Sequence, residues 1–316
     1  MNHSTASESI KQKARELDFL ACGIVPSGFL AEEQEHLRIW LSSGMHGKMG
    51  YMGRNTDKRL DPGLLLEGAK TVIVVLQNYS THKTQSDPGA PVLSKYAYGT
   101  DYHFVMKEKL RQLLEFIQTE IAPCKARPFV DSAPVLERSW AHRAGLGWIG
   151  KHSNLISLVY GSFFFIGELI LDLELPYDKP KEVRDHCGTC TRCIDACPTR
   201  AIVANRVVDA CKCISYQTIE LKGNLDPNLR GKFENRVFGC DICQDVCPWN
   251  LKAKTHSEPA FEPSPGLLAL QKDEWHQMDK PLFNNLFCNS AVKRTGYDVL
   301  RRNLQFLTYH DPSETV

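Results

Sequence analysis

Two cysteine runs constrain this chain more than any other feature. The first, "CGTCTRCIDACP", places Cys187, Cys190, Cys193 and Cys197 in the spacing C-x2-C-x2-C-x3-C, closed by Pro198. In that spacing three neighbouring thiolates hold one 4Fe–4S cubane, and the fourth serves a different cluster. The second run, "GCDICQDVCP", repeats the pattern without its first cysteine. It carries Cys240, Cys243 and Cys247, followed by Pro248. Crossing the runs sends Cys247 to join Cys187, Cys190 and Cys193. Cys240 and Cys243 are then left with Cys197, and this second set needs one more ligand. The segment between the runs, "DACKCISYQ", offers Cys211 or Cys213. Nine cysteines lie between 187 and 247, one more than two cubanes require. Structural zinc is the alternative, but zinc ribbons use separate C-x2-C pairs, not a triple followed by C-P.

The whole chain has twelve cysteines. In a reducing compartment that many thiols point to metal or redox chemistry over disulfides. The N-terminus, "MNHSTASESIKQKARELDF", has no apolar core of an export signal and no twin arginine. No run reaches the ~18 apolar residues of a membrane helix. A cytoplasmic protein with no membrane contact is therefore expected, as a monomer. Cys22, Cys124 and Cys288 stand alone and read as small buried hydrophobes. The formal net charge is +1, so a polyanionic partner would have to meet a local basic patch.

At 316 residues, 42% of them hydrophobic, the chain is long enough for more than a ferredoxin. Residues 8–18 and 29–42 read as helices. The β-branched run "TVIVVLQNY", 71–79, reads as a buried strand. Between them "GYMGRNTDKRLDP" reads as a polar surface loop bearing Arg54, Lys58 and Arg59. An amphipathic helix is expected over 104–121, with Leu110, Leu113, Leu114, Ile117 and Ile121 on one face. A strand should end at Asp131, and a helix should start at Pro134 and stop at Gly145. Residues 162–175 read as a long strand or hairpin, 176–186 as a linker, and "SAVKRTGYDVLRRNLQFL" as the clearest C-terminal helix.

"GLGWIG" matches G-x-G-x-x-G at Gly145, Gly147 and Gly150. A dinucleotide fingerprint follows a strand and opens a helix. Here the match follows a helix, and "KHSNLISLVYGS" after it lacks helical periodicity. The glycines are better read as a tight loop whose backbone approaches something closely. Two clusters move electrons, so a second centre is expected in the residues before them. A flavin, a corrinoid or the substrate itself would serve, and composition does not choose among these.

Six stretches, taken in order, resemble one family: "GYMGRNTDKRLDP", "VDSAPVLER", "GWIGKHSNLIS", "CTRCIDACPT", "CISYQTIE" and "GCDICQDVCPWN". Together they resemble the epoxyqueuosine reductases, and the resemblance runs through nearly the whole chain. It implies a cobalamin enzyme with two 4Fe–4S clusters. Such an enzyme reduces epoxyqueuosine to queuosine at the wobble position of tRNA, the last step of queuosine biosynthesis. The implied fold is α+β. An N-terminal α/β cobalamin-binding domain over 1–177 would resemble corrinoid-handling proteins and reductive dehalogenases. A bacterial ferredoxin-like domain would follow over 178–255, then a short helical segment over 256–316. An external low-potential electron donor is also implied. The family's "CISY" cysteine falls on Cys213, which completes the second ligand set and leaves Cys211 out. Many members continue into a helical-repeat tail, whereas this chain ends at Val316.

The resemblance assigns Asp131 as proton donor. Opening an epoxide places charge on its oxygen, and a positioned acid neutralises it. Such an acid must hold its proton at neutral pH, so a buried carboxyl with a raised pKa is expected. The competing reading makes Asp131 the N-cap of the following helix. A corrin's amides and nucleotide phosphate call for hydroxyls, amides and cations. Arg54, Tyr96, Asp131, Lys151, His152, Ser153, Asn154, Ser157 and Ser215 are the expected cofactor contacts, without a protein histidine on cobalt. Lys293, Arg294, Arg301 and Arg302 form the densest C-terminal cations. Arg294 and Arg301, seven apart, would share a helical face toward tRNA phosphates. The rival readings are a reductive-dehalogenase-like oxidoreductase, which would carry a twin-arginine signal, and a ferredoxin-type carrier, which would not need the large N-terminal portion.

Overall fold

The computed structural model describes residues 3–179 and 183–308. Part of the expected linker, 180–182, and the chain end at Val316 lie outside the described residues. The N-terminal part is built on one antiparallel sheet. Its strands are β1 (Ala21–Pro26), β2 (Thr71–Asn78), β4 (Ala126–Phe129) and β7 (Phe164–Leu171), in spatial order β1-β2-β7-β4. β2 is central and every one of its residues is buried. Successive side chains of a strand face opposite ways, so "TVIVVLQN" must be apolar on both faces. Ile73 and Val75 point into one core, with Met106, Leu110 and Leu113 of helix α4 (Tyr102–Phe116) and Ile10 and Ala14 of α1 (His3–Glu16). Val72, Val74 and Leu76 point into the other, with Trp140 and Ala141 of α5 (Glu137–Arg143). The sheet is thus the middle layer between two helical layers.

Helix α2 (Ala31–Ser42) and the short α3 (Thr56–Leu60) connect β1 to β2. The stretch expected to be a polar surface loop therefore contains a helical turn. Arg59 lies buried within it and donates to the Tyr51 carbonyl at 3.0 Å. β1 was not expected from the sequence; it pairs with β2 from Ala21↔Leu76 to Pro26↔Thr71. A small hairpin, β5 (Trp148–Ile149) with β6 (Leu155–Ile156), follows α5.

The cysteine-rich part holds two short helices, α6 (Arg192–Asp195) and α7 (Ile242–Asp245), one in each cysteine run and packed together. Strands β8 (Ile202–Ala204) and β9 (Val207–Val208) form a hairpin between the runs. β10 (Arg236–Phe238) pairs in parallel with β3 (Val92–Leu93), which ties this part to the N-terminal one. Asp241 strengthens that tie: its buried carboxylate accepts from Ser94 Oγ at 2.9 Å and from the Lys95 N–H at 2.8 Å. Gly239 sits at φ 69°, and a Cβ there would lie 2.4 Å from Ser94 Oγ, so only glycine closes this seam.

The C-terminal residues form α8 (Lys272–Gln277), α9 (Lys280–Leu286), α10 (Val292–Thr295) and α11 (Tyr297–Thr308). Trp275, Phe283, Phe287 and Leu300 share one core with Leu93 and Tyr98 of the N-terminal part and Val237 and Phe238 of the cysteine-rich part. The expected single helix around "VKRTGYDVLRR" is broken at Gly296, where φ is 91°. Among the described residues no helix is long and apolar enough to cross a membrane.

Candidate active site

The structure draws the cysteines of both runs near one another, with Cys243 also within electrostatic reach of Cys193. Cys193 and Cys247 lie within electrostatic reach of Cys187 and Cys190. Cys213 neighbours Cys197, and Cys240 and Cys243 neighbour Cys213. Burial pushes the thiol of Cys193 up to about 11 and that of Cys240 up to about 12, with crowding by other thiols adding to it. Ligating cations would reverse that preference and hold these groups as thiolates. Cys211 faces away: it is exposed, and its Sγ approaches the Gly44 carbonyl at 3.8 Å. Its principal charged neighbour is Asp209. Cys22, expected to be a buried hydrophobe, is partly buried on β1, and burial holds its thiol up at about 12.

A cavity of about 1220 Å³ opens where the second cysteine group meets α2, Tyr96 and the loop after α5. Ordinary small-ligand pockets span about 300–1,000 Å³. Cys197, Cys213, Cys240 and Cys243 line it; Cys187, Cys190, Cys193 and Cys247 do not. Of the expected cofactor contacts, Tyr96, His152, Ser153, Asn154 and Ser215 line the cavity. His152 is buried, burial lowers its pKa to about 4, and its Nε2 has no hydrogen-bond partner among the described residues. An orphaned neutral imidazole beside Ser153, Asn154 and Ser215 is a wall that suits a large, amide-rimmed cofactor such as a corrinoid. Arg54 is exposed and off this wall, and Lys151 Nζ donates to the Gly188 carbonyl at 2.8 Å. Ser157 is buried in a bridge with Gly161.

Asp131 follows β4 with φ 51°, in the left-handed region. It does not cap α5. That helix starts at Glu137 with Leu136 at its N-cap, three residues later than Pro134 suggested. The Asp131 carboxylate instead accepts from Tyr102 Oη at 2.8 Å and lies 3.5 Å from His103 Nε2. His103 is fixed on its other side by Asp101, at 2.8 Å from Nδ1. Partial burial raises the Asp131 pKa, but the hydrogen bonds from His103 and Tyr102 outweigh it and hold the carboxyl below its ordinary value. This corrects the expectation of a raised pKa at Asp131. The raised carboxyl is its neighbour Glu137, which accepts the Asp131 backbone N–H. Burial, then the Asp131 charge, pushes Glu137 up to about 8. Glu168, on β7, is fully buried, with neither carboxylate oxygen partnered among the described residues; burial and the charges of Glu137 and Asp131 raise its pKa as well.

The four C-terminal cations separate. The break at Gly296 puts Arg294 on α10 and Arg301 on α11, so they share no helical face. An Arg294 guanidinium nitrogen lies 3.0 and 3.1 Å from the two ring nitrogens of His103. Arg302 is half-buried and donates to the carbonyls of Leu221, Gly223 and Gln217. Lys293 and Arg301 are exposed. Sequence reasoning missed Tyr102, His103, Glu137 and Glu168. The first two were visible in "GTDYH", but nothing in the sequence tells that helix α4 delivers them to Asp131.

Residues 186–250 match the family described as 4Fe-4S double cluster binding domain. Residues 59–132 match that described as Epoxyqueuosine reductase QueG, DUF1730. The epoxyqueuosine reductase of Cellulophaga algicola is 56% identical over 301 residues, 95% of this chain and 97% of that protein. That of Escherichia coli is 41% identical over 303 residues, 94% of this chain and 79% of that protein. A crystal structure of epoxyqueuosine reductase with an epoxyqueuosine-modified stem loop of tyrosine tRNA aligns with a TM-score of 0.89 at 28% identity. It covers 97% of this chain and 81% of that one. A Bacillus subtilis epoxyqueuosine reductase, with its catalytic loop swung out of the active site, aligns with a TM-score of 0.87 at 27% identity, covering 97% and 82%. By identities of this size over nearly its whole length, the chain belongs to the epoxyqueuosine reductase family.

Proposed function

We infer that this chain reduces epoxyqueuosine in tRNA to queuosine, with two 4Fe–4S clusters and a cobalamin. The observation that carries the reading is one junction: a large cavity lined by Cys197, Cys213, Cys240 and Cys243, with Asp131 connected to its wall through Tyr102 and Tyr96. Tyr96 lines the cavity, its ring centroid lies 6.0 Å from that of Tyr102, and Tyr102 donates to Asp131. The first ligand set is Cys187, Cys190, Cys193 and Cys247; the second is Cys197, Cys213, Cys240 and Cys243. Cobalamin would sit against Tyr96, His152, Ser153, Asn154 and Ser215, and when bound it supplies the reducing electrons.

Reduction of an epoxide to an alkene breaks two C–O bonds, forms one C=C bond and releases water. It consumes two electrons and two protons. Asp131 delivers a proton to the departing oxygen, and Tyr102 and His103 aim its carboxyl. Because these bonds favour the ionised form, Asp131 must be recharged between deliveries. Glu137, neutral at physiological pH and bonded to the Asp131 backbone, is the adjacent store. Anaerobic incubation with epoxyqueuosine-containing tRNA, a corrinoid and a low-potential reductant should yield queuosine on nucleoside mass analysis. Unchanged epoxyqueuosine with both clusters and corrinoid present would overturn the reading.

The substrate base would reach the cavity from a single-stranded loop, which proteins engage more readily than paired bases. Lys293 and Arg301 are the exposed cations proposed to meet tRNA phosphates. Arg294 serves the His103–Asp131 network, and Arg302 holds α11 on the cysteine-rich part. The double variant Lys293→Ala, Arg301→Ala should weaken tRNA binding whatever the loop sequence. The slope of log affinity against log salt should shrink by about one to two units, near one per lost phosphate contact. An unchanged slope would place the tRNA elsewhere.

A further inference from the structure

The G-L-G-W-I-G stretch follows helix α5 and opens no helix, and its Trp148 and Ile149 line the cavity. In the structure it runs from the end of α5 into the β5–β6 hairpin, with Trp148 and Ile149 as its first strand. A Cβ on Gly147 would lie 2.3 Å from the Ile156 carbonyl oxygen, and one on Gly150 would lie 2.4 Å from Ile156 Cδ1. The close approach made by Gly147 and Gly150 is therefore to Ile156 of β6. Closing the hairpin so tightly turns Trp148 inward, to 1% exposure.

Trp148 points into the first cysteine set. Its indole Nε1 donates to Cys187 Sγ at 3.5 Å. Its ring packs with Cys247 as well, and lies 5.1 Å from His186 and 5.1 Å from Trp249, both edge-on. An indole N–H is a donor and nothing else, and a buried donor is stabilised by a partner. Here that partner is a sulfur expected to ligate iron. A hydrogen bond to a cluster-bound thiolate favours the reduced cluster, which carries one more negative charge, and so raises its potential. The second set is the one that lines the cavity, while Cys187 and Cys190 are partly exposed on the far group.

We propose that the indole N–H of Trp148 sets the potential of the cluster held by Cys187, Cys190, Cys193 and Cys247, raising it so that this cluster takes electrons from the external donor. This rests on the cluster assignment above. The test is an anaerobic redox titration of the reconstituted full chain, followed by electron paramagnetic resonance, in wild type and Trp148→Phe. Phenylalanine keeps a ring in the gap but has no N–H. One of the two midpoint potentials should move to a more negative value while the other stays. Both midpoints unmoved, at full iron content, would overturn the proposal while leaving the cluster assignment standing. Wild-type protein that binds no clusters would overturn both. If Trp148→Phe does not assemble its clusters, a Trp249→Phe chain labelled with ¹⁵N at the indole nitrogens replaces it. Pulsed resonance on the reduced cluster should then show a coupling to one indole nitrogen, and its absence would overturn the proposal.

Discussion

Asp131→Asn is expected to fold, bind both clusters and corrinoid, and lose turnover by about 10²-fold or more. Three features make this a clean substitution. Asp131 caps no helix, so no helix start is lost. Its backbone sits at φ 51°, and asparagine is among the residues that tolerate the left-handed region best. The amide oxygen still accepts the Tyr102 hydroxyl, but the amide carries no proton to give. His103 loses a charged partner at the same time. Its pKa, raised because the hydrogen bonds to Asp101 and Asp131 outweigh burial, should fall. A companion measurement is the pH profile of the wild type. Glu137 is active as the protonated store, so turnover should decline as pH rises through about 8, where burial and the Asp131 charge place its ionisation. Glu137→Gln should remove that alkaline limb along with most of the rate. Retained activity in Asp131→Asn would return Asp131 to a structural role.

The parts of this molecule that were legible in the sequence are those governed by local rules. Ligand spacing is local, so the cysteine runs carry the expectation of a crossed grouping without any knowledge of the fold. The buried strand at 71–78 was legible because a strand covered on both faces has no polar alternation to disguise it. β1 was missed because "ACGIVP" is short, with a glycine and a proline inside it. That glycine is needed: a Cβ on Gly23 would lie 2.7 Å from Ala144 Cβ. The site chemistry was harder for a different reason. Whether Asp131 is neutral or ionised depends on Tyr102 and His103, about thirty positions earlier, and on Arg294, far later. Likewise Arg302 reads as a phosphate-binding cation in the sequence, yet three backbone carbonyls claim it once α11 has packed.

The sharpest test of the ligand assignment contrasts two cysteines only two residues apart. Asp209 accepts the Cys211 backbone N–H at 3.0 Å and starts a single helical turn over Ala210–Lys212. That turn sends Cys211 outward and Cys213 inward, toward Cys197, Cys240 and Cys243. Cys213→Ala should therefore leave its cluster with three thiolates and lower the iron content from about eight toward about four per chain. The remaining cluster, on Cys187, Cys190, Cys193 and Cys247, should still be seen by resonance after reduction. Turnover should nonetheless fall to background, because the lost cluster would be the one whose cysteines line the cavity wall. Cys211→Ala should keep all the iron and the activity. Iron loss in Cys211→Ala with normal iron in Cys213→Ala would exchange the two assignments. Iron loss in both would mean that the turn, rather than either thiol, is what the second cluster needs.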